Sequence, residues 1–323
     1  MPLDNERLEE LNRLSPRSRE MVDRDVRGRD PVLVDENEQF VNDRIEQVNM
    51  ALAAMKDEDK VAFLAACKAN PDLETSRSLR LQFLRAELFN PGLAAHRITS
   101  HFDFKSQWFG QSRLGNKIQV TNNDLDEFDQ ETLAMGGAQI LPQKDLGGRR
   151  IFFFRKADVK YSTSQNMLNA LWYVVQSLAE DEEVQRRGIV GIIYCCKGGS
   201  KTAIEAFDRK SMVQLATYMR FAAPVRLVGL HYVYDDSVLG QFSRFILDLL
   251  PKTVRLRFIT HLGKFESWFA SESVMQYTQR LVSSIPLFLL LTSLACSRLF
   301  CFIVYYSTVT PRSKIFPYGV WYT

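Results

Sequence analysis

The first third of the chain carries apolar residues at helical spacing. Between residues 36 and 55 they recur three to four positions apart, which is the period of an amphipathic helix. They are Phe40, Val41, Ile45, Val48 and Leu52. A second helical pattern, over residues 58–69, ends at Asn70-Pro71, because the residue before a proline is disfavoured in the α region.

Two further helices are predicted before residue 110. The first has four apolar residues on one face, Leu79, Phe83, Leu84 and Leu88. The second covers 91–109, where Asn90 is a suitable N-cap and Pro91 takes the first helical position. Residues 36–111 are therefore predicted to form a helical N-terminal domain. Residues 1–35 mix many charges of both signs, and we expect a disordered or partly helical arm there.

Beyond Gly110 the pattern changes to short apolar runs separated by helical segments. The strand-like runs are 150–155, 189–196, 225–234 and 255–262. The helical segments between them are 164–187, 208–222 and 237–250. Strands that alternate with helices of this length indicate βαβ units. The sequence thus predicts an α/β fold, in which a small helical domain precedes a mostly parallel sheet covered by helices, over residues 112–266.

Composition excludes some classes of function. The chain has 323 residues and 46% hydrophobic content, enough for a substantial core. Its 41 basic and 38 acidic residues leave a net charge of only +3, so we expect no nucleic-acid partner. The five cysteines lie in apolar runs without a Cys-x-x-Cys pair, and the first thirty residues contain no apolar signal segment. These features favour a cytoplasmic location.

No group of residues has the spacing of a catalytic or metal site. His96 and His101 are five apart, not the four of a helical zinc motif, and are interpreted as surface or inter-helix histidines. The segment 197–202, Lys-Gly-Gly-Ser-Lys-Thr, lacks the glycines of a phosphate-binding loop, since Ser200 and Cys195 occupy their positions. We therefore predict no enzyme activity and no cofactor. A nucleotide-dependent enzyme using this loop is the weakest alternative.

Several segments, in their order, resemble the CRAL-TRIO lipid-binding family. "RLQFLRAELFNPGLAAHRI" is similar to the family's N-terminal signature at Phe83, Leu84, Arg85, Ala86, Phe89 and Ala94. "GRRIFFFR" and "AAPVRLVGLHYV" are similar to two of its strand motifs, and "SVLGQFSRFILDLLPKTVRLRFITHLG" to its gate helix and closing strand. The resemblance covers about residues 75–265. It implies an apolar ligand pocket between the sheet and a movable gate helix.

The residues of the candidate pocket come from the strands and the gate. One side of the predicted gate helix is apolar through Val238, Phe242, Phe245, Ile246 and Leu249. The strands offer an apolar floor at Phe152, Phe154, Ile192, Tyr194, Leu230 and Tyr232. An ordinary core-facing helix is the alternative interpretation of the gate pattern.

The resemblance does not identify the ligand. Members that transfer phosphatidylinositol have an acidic residue and a lysine where this chain has Val225 and Asp248. A different phospholipid, a sterol-like molecule or another hydrophobic ligand therefore stays open. We expect a protein that binds a lipid-like molecule and transfers or presents it at a membrane surface. The alternative is a membrane-recruitment or scaffold module without a transferred ligand.

The segment 267–323 departs from the family as a divergent hydrophobic tail. Between residues 285 and 309 its only charge is Arg298, and a stretch of about 20 apolar residues can cross a bilayer. Three interpretations stay open: a C-terminal membrane anchor through 285–309, an apolar segment packed on the α/β domain, and a mispredicted gene end. The first would make the protein membrane-associated.

Overall fold

The computed structural model describes residues 9–27, 33–110, 120–134, 136, 138–145, 147–155, 163–195, 209–234, 256 and 258–262. Its α-helices are α1 (Pro16–Arg27), α2 (Glu38–Ala54), α3 (Val61–Ala69), α4 (Asp72–Thr75), α5 (Arg77–Ala86), α6 (Pro91–Phe109), α7 (Glu127–Ala134), α8 (Ser164–Ala179), α9 (Glu182–Arg187) and α10 (Arg209–Phe221). Its strands are β1 (Ala138–Lys144), β2 (Arg150–Arg155), β3 (Ile189–Cys195), β4 (Leu227–Tyr234) and β5 (Phe258–Leu262).

The predicted helices of the first third are present, with their caps. The Asn37 side chain accepts a hydrogen bond from the Phe40 amide at the start of α2, and Asn90 does the same for Leu93 at the start of α6. Helix α5 is shorter than its apolar pattern suggested. It ends at Ala86, and Leu88 and Phe89 follow with positive φ, so Leu88 is wrongly placed on the helical face by the sequence.

Two apolar cores meet at α6. The first is formed by α2 to α6 and includes Phe83, Leu84 and Ile98, which are fully buried. The second lies between the sheet, α8 and α10, and receives Trp108 and Phe109 from the end of α6. Helix α6 therefore contributes to both cores. The predicted domain boundaries stay predictions.

The sheet has five strands in the order β1-β2-β3-β4-β5, with β1 antiparallel to β2 and the others parallel. The α/β fold class predicted from the sequence is confirmed. Strand β1 and helix α7 were not predicted, because 112–148 is polar and rich in turn residues. Pro142 explains the weak strand signal: a proline cannot donate to the ladder, so it is tolerated at a sheet edge, and the β1–β2 register shifts between Leu141 and Lys144.

The strands follow one another across the sheet in the order of the chain, so the crossover helices are expected on the same face of the sheet. Successive right-handed crossovers that move in one direction across a sheet lie on one face of it. In agreement, Trp172 of α8 and Tyr218 of α10 share a core with Phe154, Leu230 and Tyr232. We call this side of the sheet the helix face and the opposite side the second face.

Helix α1 packs on the sheet near the amino ends of the strands. Arg149 Nη1 donates to the Asp25 carbonyl oxygen at 2.7 Å, and Arg226 Nη1 lies 3.4 Å from an Asp25 carboxylate oxygen. Arg149 itself forms a buried ion pair with Asp145 at 2.6 Å. Gly229 of β4 lies beneath this contact, and a Cβ there would be in ordinary van der Waals contact with the Asp25 carbonyl oxygen, 3.9 Å away. The N-terminal arm is therefore helical and anchored between Pro16 and Arg27.

No helix in the described ranges is both long and apolar enough to span a bilayer. The predicted span 285–309 lies outside these ranges.

Candidate ligand-binding face of the sheet

The strand register divides the predicted floor residues between the two faces. Phe152 pairs with Gly191, which pairs with Leu230, and in parallel strands such partners point to the same side. In the next row on that side, Phe154, Ile193 and Tyr232 are partners. The structure therefore brings four of the six predicted residues together on the helix face: Phe152, Phe154, Leu230 and Tyr232.

Ile192 lies on the second face, and the backbone of Tyr194 has the same register parity, so the grouping of all six predicted residues on one side is wrong. Ile192 pairs with Phe153 and His231, and Tyr194 with Arg155 and Val233. Strand β3 is apolar on both sides, as expected for a parallel strand buried on both faces, and its sequence does not indicate which parity faces the helices. The β3 residues that belong to the helix face include Ile189, Gly191 and Ile193.

Because Gly191 has no side chain, the helix face has a depression at this residue, and the Leu230 side chain fills it. A Cβ built on Gly191 would lie 2.7 Å from Leu230 Cδ1 and 3.5 Å from Leu227 Cδ1. Both leucines therefore lean over the glycine from β4. On either side of this point, Phe152 and Ile193 are only partly buried although both pack against the core.

An aromatic cluster closes the helix face towards the helical domain. Tyr218 of α10 stacks on Trp172 of α8 with ring centroids 4.6 Å apart, and Trp108 of α6 lies 5.0 Å from Tyr218. His101 of α6 packs on Trp172 at 4.7 Å. Complete burial raises the pKa of Tyr218. Sequence reasoning missed this cluster, because its members come from three helices and each looks like an ordinary core residue in its own helix.

Helix α6 holds α10 against the sheet by binding carbonyl groups at the end of α10. Arg97 Nε donates to the Ala223 carbonyl oxygen at 2.7 Å, and its Nη2 lies 3.2 Å from the carbonyl oxygens of Met219 and Val225. The same guanidinium pairs with Glu87. Met219 lies in the last turn of α10, whose carbonyls have no partner within the helix, and Ala223 and Val225 follow the helix. Arg97 therefore satisfies carbonyl groups at the junction between α10 and β4.

His101 is the second residue of α6 that binds this segment. Its Nδ1 lies 3.1 Å from the Ala222 carbonyl oxygen and donates to it. Burial lowers the pKa of His101 to about 3, with a smaller contribution from the nearby charge of Lys105. A neutral, hydrogen-bonded histidine between two helices fits the inter-helix interpretation and not that of a metal ligand. His231, on β4, is buried on the second face.

Arg85, from the signature that resembles the CRAL-TRIO family, has a structural position. It lies on α5, and its guanidinium binds the Glu36 carboxylate, with Nη2 2.6 Å from Oε2. It also reaches Glu182 at 2.9 Å and Gln185 at 2.7 Å, both on α9. The helical domain is thereby tied to the α/β unit at a second point, away from Arg97.

A buried polar group joins α7 to α8. The Asp129 carboxylate accepts hydrogen bonds from Asn166 Nδ2 at 2.8 Å and from Asn169 Nδ2 at 3.1 Å. Burial raises the pKa of Asp129, and the two amide donors oppose this. No grouping of three His, Cys, Asp or Glu side chains suited to a metal ion occurs within the described ranges.

The predicted gate residues, Val238, Phe242, Phe245, Ile246 and Leu249, lie outside the described residues, as does the segment 197–202. Of the predicted pocket, the described part of the chain therefore contains the strand residues and not the gate residues.

Comparison with known proteins finds a partial likeness to a solved structure. No protein-family profile matches the chain. The structure is similar to the crystal structure of Sfh5, with 7% sequence identity and a TM-score of 0.44. The match covers 73% of this chain and 85% of the solved chain. At this TM-score the likeness carries no argument about ligand or function.

Proposed function

We propose that this protein binds a hydrophobic, lipid-like molecule on the helix face of its sheet, under the connection between β4 and β5. The observation that supports the proposal most directly is the parallel pairing of β5 with β4, which matches Leu230 to Phe258 and Tyr232 to Thr260. Adjacent parallel strands need a crossover connection, and nearly all such crossovers are right-handed. The connection is therefore expected over the same face as α8 and α10.

The connection has the composition of a cover for an apolar ligand. It contains the predicted gate helix, with Phe242 and Phe245 among its apolar residues. Beneath it, the helix face presents Leu230 and Tyr232, with Ile193 only partly buried beside them. An apolar cover over an apolar floor suits a ligand held mainly by removal of its hydrocarbon surface from water.

The mechanism proposed is exchange at a membrane. The gate helix moves away from the sheet, a lipid chain enters above Leu230 and Tyr232, and closure removes it from water. The floor itself stays fixed, because Arg97 and His101 hold the end of α10 and the aromatic cluster fills the space behind it. Exchange of a ligand between a rigid floor and a movable cover requires no chemical reaction.

Lipid extraction from the purified protein tests the proposal. We expect one class of hydrophobic molecule to copurify in a fixed ratio to protein, as detected by mass spectrometry. A protein that carries no lipid, and takes up none from vesicles, would instead be a recruitment or scaffold module.

A pair of gate variants locates the ligand. Phe245→Asp places a carboxylate on the apolar side of the predicted gate helix. Burial of an unpaired charge there costs about 3–5 kcal/mol, as does the removal of one partner from a buried ion pair. We expect this variant to lose transfer of a fluorescent lipid between vesicles while circular dichroism shows a folded protein. Arg244→Ala, on the other side of the predicted helix, is the control and should retain transfer. Global unfolding of Phe245→Asp would indicate an ordinary core helix.

A further inference from the structure

The exposed stripe of α10 combines apolar and basic side chains. Lys210, Val213, Thr217 and Phe221 are spaced by three or four residues and therefore share one side of the helix. Val213 is 37% exposed and Phe221 47% exposed, although both are large apolar residues. Arg220 extends over the Phe221 ring, with its guanidinium carbon 5.1 Å from the ring centroid. We call Lys210, Val213, Thr217, Arg220 and Phe221 the α10 stripe.

The charged residues of α10 itself are all basic. No Asp or Glu occurs between Arg209 and Tyr234, and the nearest acidic residues along the chain are Asp208 and Asp235. The acidic residue known to approach the end of α10, Glu87, is largely buried and paired with Arg97. In a chain with nearly balanced charge overall, this local excess of cations is distinctive.

A second exposed apolar stripe, on α3, provides a comparison. Val61 and Leu64 are exposed and Lys68 follows them on the same side of that helix. Acidic residues flank this stripe at Asp57, Glu58, Asp59, Asp72 and Glu74. Apolar exposure is similar on the two helices. Helix α10 itself carries three basic residues, Arg209, Lys210 and Arg220, whereas α3 carries one and follows a run of three acidic residues.

We infer that the α10 stripe is a docking surface for an anionic lipid membrane. Apolar side chains flanked by lysine and arginine suit the boundary between lipid headgroups and acyl chains, where the apolar groups insert and the cations meet acidic headgroups. The inference rests on the proposed function for its purpose, since α10 packs on the helix face and docking there would bring the proposed ligand site to the membrane.

Site-resolved amine modification tests the docking surface in the full-length protein. Lysines are acetylated with and without vesicles of phosphatidylcholine, or of phosphatidylcholine mixed with phosphatidylserine, and each site is quantified by mass spectrometry. We expect protection of Lys210 with the phosphatidylserine vesicles only, while Lys68 reacts equally in all samples. Because the measurement is made at Lys210, binding through another segment does not produce it.

Variants add a measure of affinity. A basic side chain near an anionic surface strengthens binding about fivefold, so Lys210→Gln should weaken cosedimentation with phosphatidylserine vesicles by about that factor. Phe221→Ser should weaken it further, and the matched α3 changes Lys68→Gln and Leu64→Ser should have no effect. All four side chains are exposed, so circular dichroism is expected to show unchanged folding.

Three results would overturn the inference: equal modification of Lys210 with and without phosphatidylserine vesicles, equal protection of Lys68, or protection of Lys210 by soluble polyglutamate and not by vesicles. The last result would indicate an acidic protein partner. The outcome is separable from that of the proposed function. Copurified lipid without protection of Lys210 would contradict only the docking surface. Protection of Lys210 without copurified lipid would contradict only the proposed ligand site.

Discussion

His101 of α6 donates a hydrogen bond from Nδ1 to the carbonyl oxygen of Ala222, 3.1 Å away, just beyond the end of α10. The imidazole packs between Phe83 and Trp172, with ring centroids 5.3 and 4.7 Å from its own. One side chain therefore joins the helical domain to the helix that covers the sheet. Burial lowers the pKa of His101 and so favours the neutral ring in this position.

The first prediction is a loss of stability in mild acid that depends on His101. Its folded pKa of about 3 is below the value of about 6.5 in an unfolded chain, so the stabilisation is complete above pH 6.5 and is lost as the pH falls towards 3. The slope is about 1.4 kcal/mol per pH unit, or about 2 kcal/mol between pH 6.5 and 5. Urea unfolding at pH 7 and pH 5 measures it.

The control is His101→Asn, which retains a donor for Ala222 but does not titrate. This variant should be less stable at pH 7 and should lose less stability on acidification. Asp129 acts in the opposite direction, because its raised pKa makes protonation favour the folded state. An unchanged pH dependence in His101→Asn would show that the histidine is not the group responsible.

The second prediction concerns the buried ion pair of Arg85 and Glu36. Both side chains are less than a tenth exposed, and removal of Arg85 leaves the buried Glu36 carboxylate with Arg186, 3.2 Å away, as its remaining cationic partner. Arg85→Ala should therefore lower the free energy of unfolding by about 1.5–3 kcal/mol, the loss of hydrogen bonds to a charged group. Arg77→Ala on the same helix is the matched control, because the Arg77–Glu38 pair is exposed and should contribute about 0–1 kcal/mol. Equal losses in denaturant melts would contradict the distinction.

The third prediction contrasts two glycines at the start of β3. Gly188 has φ +77°, and a Cβ there would lie 2.6 Å from the Arg226 carbonyl oxygen, a backbone atom. Gly188→Ala should therefore cost about 2 kcal/mol or more. At Gly191 the obstacle is Leu230 Cδ1, which can turn aside, so Gly191→Ala should cost about 1 kcal/mol. Thermal melts that reverse this order would show that Leu230 is held more rigidly than the Arg226 backbone.

The fourth prediction assigns the helical domain a structural role. Phe83 is fully buried in the core of α2 to α6, so Phe83→Ala should lower the free energy of unfolding by about 3–5 kcal/mol. Phe128→Ala removes an exposed ring from α7 and should change it by less than about 0.5 kcal/mol. A Phe83→Ala protein with parental stability but no bound lipid would instead place Phe83 at the ligand.

Local features of the fold were predictable because their causes are local in sequence. Asn90 and Pro91 predicted the start of α6, and the apolar spacing from Phe40 to Leu52 predicted α2. Strand β1 and helix α7 escaped prediction, since Pro142 and the polar residues around them give the signals of turns. Leu88 was placed in a helix that ends before it, because its apolar side chain continues the helical spacing although its positive φ ends the helix.

By itself, the sequence determined the alternation of strands and helices, and hence the α/β class, because apolar periodicity and caps act over a few residues. Only the tertiary structure decided which side of the sheet each strand residue occupies. Ile192 and Ile193 are equally apolar, but pairing with Phe153 and Phe154 places the first on the second face and the second on the helix face. Likewise, no local pattern indicates that Arg97 binds the carbonyl of Ala223, more than a hundred residues away. Register and long-range contacts depend on how separate segments meet, and that is fixed only when the whole chain packs.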